Sequence, residues 1–144
     1  MKFKSRKNIA LVILMDGLAV GILCVSIYGF SLESFSIATV AVYVVISLVA
    51  ALLVSITHGT YYSIKNGFVY YRSGPIFGKI AIHRIREIEK GVTQYVGLKP
   101  ATATNGLIIK YDKFDDIYIS PCTNDTFVEE LLKFKKDIIV VERR

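Results

Sequence analysis

Two long apolar runs open the chain and set its first half apart from the rest. They cover residues 9–30 and 35–57, which makes 22 and 23 residues, and no Lys or Arg occurs between residues 9 and 57. A helix needs about 20 apolar residues to cross the hydrocarbon core of a bilayer. Because the short stretch 31–34 joins the two runs, they predict an antiparallel pair of transmembrane helices. A cleaved signal peptide is the alternative for the first run, but the apolar core of such a peptide spans about 7–15 residues.

The charges that flank the two runs predict their orientation. Lys2, Lys4, Arg6 and Lys7 precede the first run, whereas the connection between the runs carries the acid Glu33. Basic flanks stay on the cytoplasmic side of a membrane. Residues 1–8 are therefore predicted to be a basic cytoplasmic N-terminus, and the protein is predicted to be a two-span protein of the cell membrane with both chain ends in the cytoplasm.

Polar and small side chains inside the two runs are the candidate functional positions of the hairpin. Asp16 lies seven residues into the first run, and an ionisable group at that depth is a functional candidate by default, because its burial in lipid is costly. A structural role, with nearby hydroxyl and backbone groups as partners, is the competing interpretation. Small side chains are the candidates for helix packing within the hairpin or in a homodimer: Gly17, Gly21, Ser47 and Ala51.

Beyond residue 57 the pattern changes to short alternating stretches, which is typical of β-strands. These stretches cover residues 61–72, 79–83, 106–111 and 116–120. Asn66 and Gly67 divide the first stretch and predict a tight β-hairpin turn. Residues 91–105 are rich in Gly, Thr and Pro, so they predict a loop, with a short strand at residues 94–96.

A helix is predicted to follow the last strand. Thr123 is a suitable N-cap for a helix over residues 123–136, and Phe127, Leu131 and Phe134 recur on one face of that helix. The chain is therefore predicted to be an α+β protein, in which a transmembrane helical hairpin precedes a mostly β domain over residues 58–144.

Composition and charge exclude several classes of function. The 144 residues carry 18 basic and 12 acidic side chains and a net charge of +6, but the basic residues after position 58 alternate with acids and follow no nucleic-acid-binding motif. Cys24 and Cys122 have neither disulfide nor zinc-ligand spacing, and His58 and His83 do not complete a ligand set with them. We find no catalytic motif and expect no enzyme activity, no metal and no cofactor.

Several short segments, taken in order, resemble the bacterial pleckstrin-homology-like (PH-like) domains of small membrane proteins. The segments are YSIKNG at 62–67, SG at 73–74, GKIAI at 78–82, IREIEK at 85–90, IIKY at 108–111 and ISP at 119–121. The resemblance covers residues 58–137. It implies a partly open antiparallel β-barrel that is capped by the C-terminal helix.

This resemblance also implies a function without catalysis. PH-like barrels generally bind proteins, peptides or lipids, so we expect a membrane-anchored binding or scaffolding protein at the inner membrane surface; the alternative is an immunity protein that protects against a secreted antimicrobial peptide. The basic side chains of the barrel are either solvated strand faces or contacts to headgroups or a partner. These candidates are Lys65, Arg72, Lys79, Arg84 and Arg86.

Overall fold

The computed structural model of the protein describes residues 1–32 and 36–142. Its elements are β1 (Lys2–Lys4), α1 (Ile9–Leu32), α2 (Ile37–His58), β2 (Tyr61–Lys65), β3 (Phe68–Ser73), β4 (Ile76–Ala81), β5 (Ile85–Val92), β6 (Gly106–Tyr111), β7 (Asp115–Ile119), α3 (Asn124–Phe134) and β8 (Ile139–Glu142). Two apolar helices, two sheets that do not close on each other and a C-terminal helix confirm the predicted α+β class. Glu33, the acid of the predicted connection, lies outside the described residues.

The two N-terminal helices are long and apolar enough to cross a membrane. Their most apolar stretches are only 11% and 6% buried within the protein, which is the reverse of what the core helix of a soluble domain shows. The helices meet through small side chains, because Ala19 and Ser26 of α1 and Ala50 and Thr57 of α2 are buried. The remaining apolar surface of the pair needs another apolar environment, and a bilayer provides one.

The β-domain is built from two four-stranded sheets. The first has the order β1-β2-β3-β4 and is antiparallel throughout, and the second has the order β7-β6-β5-β8, with β8 parallel to β5. Alternate side chains of both sheets point inward, and α3 packs Phe127 and Leu131 against them. Each fully buried aliphatic or aromatic side chain stabilises such a core by about 1.5–3 kcal/mol.

The segment before the first helix is a strand of this domain. Lys2 pairs with Ser63 and Lys4 with Tyr61, and the ring of Phe3 lies 5.0 Å from that of Phe127 in the core. The hairpin is therefore inserted between two adjacent strands of one sheet. From the sequence this segment is predicted as a basic N-terminus, and no strand is predicted there.

A buried polar network around Ser5, the residue that follows β1, links this strand to the rest of the barrel. The Ser5 hydroxyl lies 3.0 Å from the hydroxyls of Thr102 and Ser120 and 3.2 Å from the hydroxyl of Tyr62. The Tyr62 hydroxyl donates to the Pro100 carbonyl at 2.6 Å and accepts the Ser120 N–H at 3.1 Å. Burial raises the pKa of Tyr62, because the charged phenolate would lose its hydration.

The barrel has one end next to the hairpin and one end away from it. Strand β2 starts three residues after α2 and runs away from the helices to Lys65. At its far end the Gly67 carbonyl accepts the Ile82 N–H at 2.9 Å, and the nearby Arg84 carbonyl accepts the Asp112 N–H at 3.2 Å. We call the end next to the helices the hairpin-proximal end. The end away from them, which includes the β6–β7 turn, is the hairpin-distal end.

Five further details differ from the sequence predictions, and the first is that strand β5 was not predicted. Strand β4 ends at Ala81 and a single 3₁₀ turn follows over Ile82–Arg84; no strand forms at residues 94–96; α3 has 11 residues rather than 14; and β8 was not predicted. Near the predicted strand at residues 94–96, the Leu98 carbonyl accepts the Tyr118 N–H, but a single hydrogen bond does not make a strand pair. Strand β8 has the sequence IVVE, which does not alternate, and its partner β5 is distant in sequence.

Removing the Tyr62 hydroxyl tests the network. We expect Tyr62→Phe to lower the free energy of unfolding by about 1–3 kcal/mol, because the Ser120 N–H and the Pro100 carbonyl would remain buried without this partner. Thermal unfolding of the full-length protein in detergent measures the effect. Tyr70→Phe, on an exposed side chain of the same sheet, is the matched control, and equal unfolding temperatures for the two variants would contradict the role of the network.

The raised pKa of Tyr62 predicts loss of stability in alkali. A group whose pKa is higher in the folded state keeps its full contribution below its unfolded pKa, here about 10, and loses it as the pH rises further. Unfolding temperatures measured from pH 7 to above pH 10 should therefore fall in the wild type. The Tyr62→Phe variant should show a shallower fall, and parallel curves would argue against burial of this hydroxyl.

Candidate functional site

The outward side of the first sheet combines basic and aromatic side chains. Its buried positions, such as Tyr62, Val69 and Ile80, alternate with side chains that point away from the core. We call this outward side the cationic-aromatic face. Its residues are Lys2, Lys4, Tyr61, Lys65, Phe68, Tyr70, Arg72, Phe77 and Lys79.

The strand register arranges these side chains in rows. The row nearest the hairpin contains Lys4, Tyr61, Arg72 and Phe77, so cation and ring alternate across four strands. In the next row Lys2 and Lys79 stand at the two edges, with Ser63 and Tyr70 between them. The Lys2 ammonium lies 4.1 Å from the centre of the Tyr61 ring, close enough for a cation–π contact.

The cationic-aromatic face contains no acid. Asp and Glu are absent from residues 1–15 and 36–86, the parts of the chain that form all four strands of this sheet. Within residues 1–32 and 36–142, none of the five cations of the face forms an ion pair with a carboxylate. The face therefore presents positive charge that the described part of the protein leaves unneutralised.

The two lysines of the second sheet, Lys90 and Lys110, are neutralised. Lys110 lies 3.0 Å from Glu87 and also contacts Glu89, and these carboxylates raise its pKa. Asp125 and Glu142 raise the pKa of Lys90 in the same way. Opposite charges that lie close together favour the charged form of each group, so this sheet is a poor surface for anions.

Arg84 and Arg86 are not part of the cationic-aromatic face. Arg84 pairs with Asp112, whose pKa it lowers, and Arg86 donates to the Lys113 carbonyl at 3.0 Å. Both lie at the hairpin-distal end. Of the five basic candidates from the sequence, the structure brings Lys65, Arg72 and Lys79 together and leaves these two apart.

A shallow aromatic groove crosses the hairpin-proximal part of the face. It has a volume of about 330 Å³ and is lined mainly by Tyr61, Tyr70, Tyr71, Arg72 and Phe77. Gly78 leaves room for the Tyr71 side chain at its floor, because a Cβ there would lie 2.5 Å from Cζ of Tyr71 unless that ring shifted. The groove has room for a small apolar or planar group beside the Arg72 guanidinium.

Six residues of this face are not among the sequence candidates: Lys2, Lys4, Tyr61, Phe68, Tyr70 and Phe77. Two signals in the sequence point to them. One is the alternation Lys-Phe-Lys at residues 2–4, which is a strand pattern, and the other is the long stretch without acids. Their meeting on one surface depends on the pairing of β1 with β2, which no local pattern reveals.

Asp16 has partners in the structure. Its carboxylate lies 2.9 Å from Nε2 of His58, the last residue of α2, and Nδ1 of His58 lies 3.0 Å from the Lys7 ammonium. Because an ammonium group can only donate, Nδ1 accepts and Nε2–H donates to Asp16. Asp16 therefore joins the two helices at the end where they enter the barrel. A functional role beyond this link stays a prediction.

The predicted helix-packing residues lie away from the closest contact of the two helices. A Cβ on Gly17 or Gly21 would meet nothing within 4 Å, and these glycines line a groove of about 610 Å³ between the helices. Ser47 and Ala51 are exposed. The buried alanines of the hairpin are Ala19 of α1 and Ala50 of α2, and a homodimer through the glycines stays a prediction.

Lysine reactivity should separate the two sheets. Acetylation requires the neutral amine, and the raised pKa values of Lys90 and Lys110 reduce its fraction. We expect these two lysines to react several-fold more slowly than Lys65 and Lys79 when the full-length protein in detergent is acetylated and digested for mass spectrometry. The double variant Glu87→Gln, Glu89→Gln should accelerate Lys110 alone, and equal rates for all four lysines would contradict the charge pattern.

Comparison with known proteins agrees with this architecture. The family described as "Bacterial PH domain" matches residues 60–135, which is more than half of the 144 residues. Searches among curated proteins and among solved structures give no match to this chain. The matched region starts just after α2 and ends just after α3, and it contains β2 to β7. The chain therefore belongs to the bacterial PH domain family, and it carries this domain on two apolar helices.

Proposed function

We propose that this protein is a membrane-anchored, non-enzymatic binding module whose cationic-aromatic face engages anionic lipid headgroups at the inner membrane surface. The observation that carries the proposal is the acid-free face with five cations, Lys2, Lys4, Lys65, Arg72 and Lys79, none of which has a carboxylate partner among the described residues. A surface of this kind attracts anions, and the position of the face decides which anions it meets.

The connection to the hairpin supports a lipid partner. Lys4 lies five residues before α1, and Tyr61 lies three residues after α2. Because these two residues pair directly, the first row of the face is held within a few residues of both helix ends. Basic and aromatic side chains at this depth favour the headgroup region of a membrane.

The predicted orientation supports the same partner. Lys2, Lys4, Arg6 and Lys7 before α1 favour the cytoplasmic side for the domain. The cytoplasmic leaflet has a negative surface potential, and each Lys or Arg close to it contributes about 1 kcal/mol. Each cation contributes little binding free energy by itself, but the contributions of several cations add. The face therefore suits a charged surface better than a single buried ligand.

Neutralising the face tests the proposal. We expect the triple variant Lys4→Gln, Arg72→Gln, Lys79→Gln to lose several-fold in its preference for phosphatidylglycerol over phosphatidylcholine. Electron paramagnetic resonance of spin-labelled lipids, with the full-length protein reconstituted in mixed vesicles, measures this preference. Lys2, Arg6 and Lys7 remain in the variant, so the charges that orient the hairpin are largely kept.

The matched control changes the same number of charges at the hairpin-distal end. Lys136 belongs to this end, because its neighbour Lys135 donates to the Ile85 carbonyl at 2.7 Å. Arg86→Gln, Lys113→Gln, Lys136→Gln should retain the preference of the wild type, and added salt should weaken it only where the face is intact. Equal losses in both triple variants would overturn the proposal. Unchanged lipid preference in the first variant, with capture of one protein by a photo-crosslinker at Tyr70, would replace the lipid by a protein partner.

A further inference from the structure

The turn between β3 and β4 reaches past the start of the barrel toward the helices. Arg72 of β3 pairs with Tyr61, the first residue of β2, and with Phe77 of β4. Residues 73–76 therefore extend beyond the first row, alongside the end of α2. The contacts of Gly74 show how far this turn reaches.

Gly74 packs against the last turn of α2. A Cβ on Gly74 would lie 3.1 Å from the backbone nitrogen of Ile56 and 3.2 Å from the Ser55 hydroxyl, and its φ of +57° also favours glycine. Ser55 and Ile56 precede the end of α2 by two or three residues, or about 3–4.5 Å along the helix axis. The turn thus lies level with residues that belong to the predicted transmembrane segment.

The polar groups of this turn are occupied, whereas its tip is apolar and exposed. The Ser73 hydroxyl lies 2.9 Å from the Thr60 hydroxyl, and the Arg72 guanidinium donates to the Gly74 carbonyl at 3.3 Å. Beyond them Pro75 is exposed, Ile76 is 46% exposed and Phe77 is 78% exposed. Exposure of these apolar side chains to water is unfavourable, whereas beside α2 they lie at the depth where a bilayer becomes apolar.

We propose that residues 75–77 form a membrane wedge, which inserts into the boundary between headgroups and acyl chains next to the end of α2. Its occupant is the lipid of the leaflet in which the hairpin is anchored. The wedge would add a third membrane contact to the two helices and would hold the first row of the cationic-aromatic face against the headgroups. This inference rests on the membrane placement in the proposed function and is independent of the preference for anionic lipid.

Tryptophan fluorescence can test the wedge directly, because the chain contains no Trp. Phe77→Trp and Ile76→Trp each add a single reporter at an exposed position. In vesicles that contain lipids brominated on the acyl chain near the headgroup, we expect both variants to be strongly quenched and to emit at shorter wavelength. The use of two variants controls for a local effect of either substitution.

Phe114→Trp is the matched control. Phe114 is 87% exposed in the β6–β7 turn at the hairpin-distal end, so a reporter there should emit as in water and resist quenching. Quenching of the two wedge reporters no stronger than that of the Phe114 reporter would overturn the inference.

Lipid composition separates the wedge from the proposed function. Quenching should occur in phosphatidylcholine vesicles as well as in vesicles with phosphatidylglycerol, because insertion of Ile76 and Phe77 needs no charge. Quenching without an anionic-lipid preference would support the wedge and contradict headgroup selection by the face. The preference without quenching would support headgroup selection and contradict the wedge.

Discussion

The pairing of β1 with β2 is the constraint on which the rest of this structure depends. These strands are neighbours in one sheet, yet the whole helical hairpin lies between them in the chain. Both ends of the hairpin are thereby fixed to the same edge of the barrel, and the buried hydroxyls of Ser5, Tyr62 and Ser120 secure the pairing. A domain attached through one flexible linker could rotate above a membrane, whereas a domain attached at two adjacent strands has little freedom to do so. The link between Asp16 and His58 restricts the same junction further.

The sheet that is joined to the hairpin is also the sheet that carries unpaired positive charge in the described part of the chain. Lys110 and Lys90 each lie beside two carboxylates, so the lysines of the second sheet are neutralised. The first sheet has cations without acids, and β1 supplies two of them. Because β1 also carries the flank of the first helix, the positive sheet is the one that the hairpin holds in place. Charge and position therefore agree, and the proposed binding of lipid headgroups rests on this agreement.

Much of the fold can be predicted from the sequence because local patterns control it. The apolar runs give α1 and α2 to within a few residues, Asn66 and Gly67 give the first β-hairpin, and the spacing of Phe127 and Leu131 gives α3. The resemblance to bacterial PH-like domains rests on the same local segments, and the family match confirms it. The candidate site was only partly predictable, because Lys65, Arg72 and Lys79 stand out as basic residues but so do Arg84 and Arg86.

The sequence by itself determined which segments are apolar enough to span a membrane, which segments alternate as strands and where acids are missing, since each of these properties is read from neighbouring residues. Only the tertiary structure decided that Lys2 and Lys4 join Tyr61 and Arg72 on one surface, that Arg84 is neutralised by Asp112, and that Gly74 lies against Ile56. The physical reason is that strand pairing and ion pairing join residues far apart in the chain. No local periodicity reports such contacts, because their geometry is set by the packing of the whole barrel.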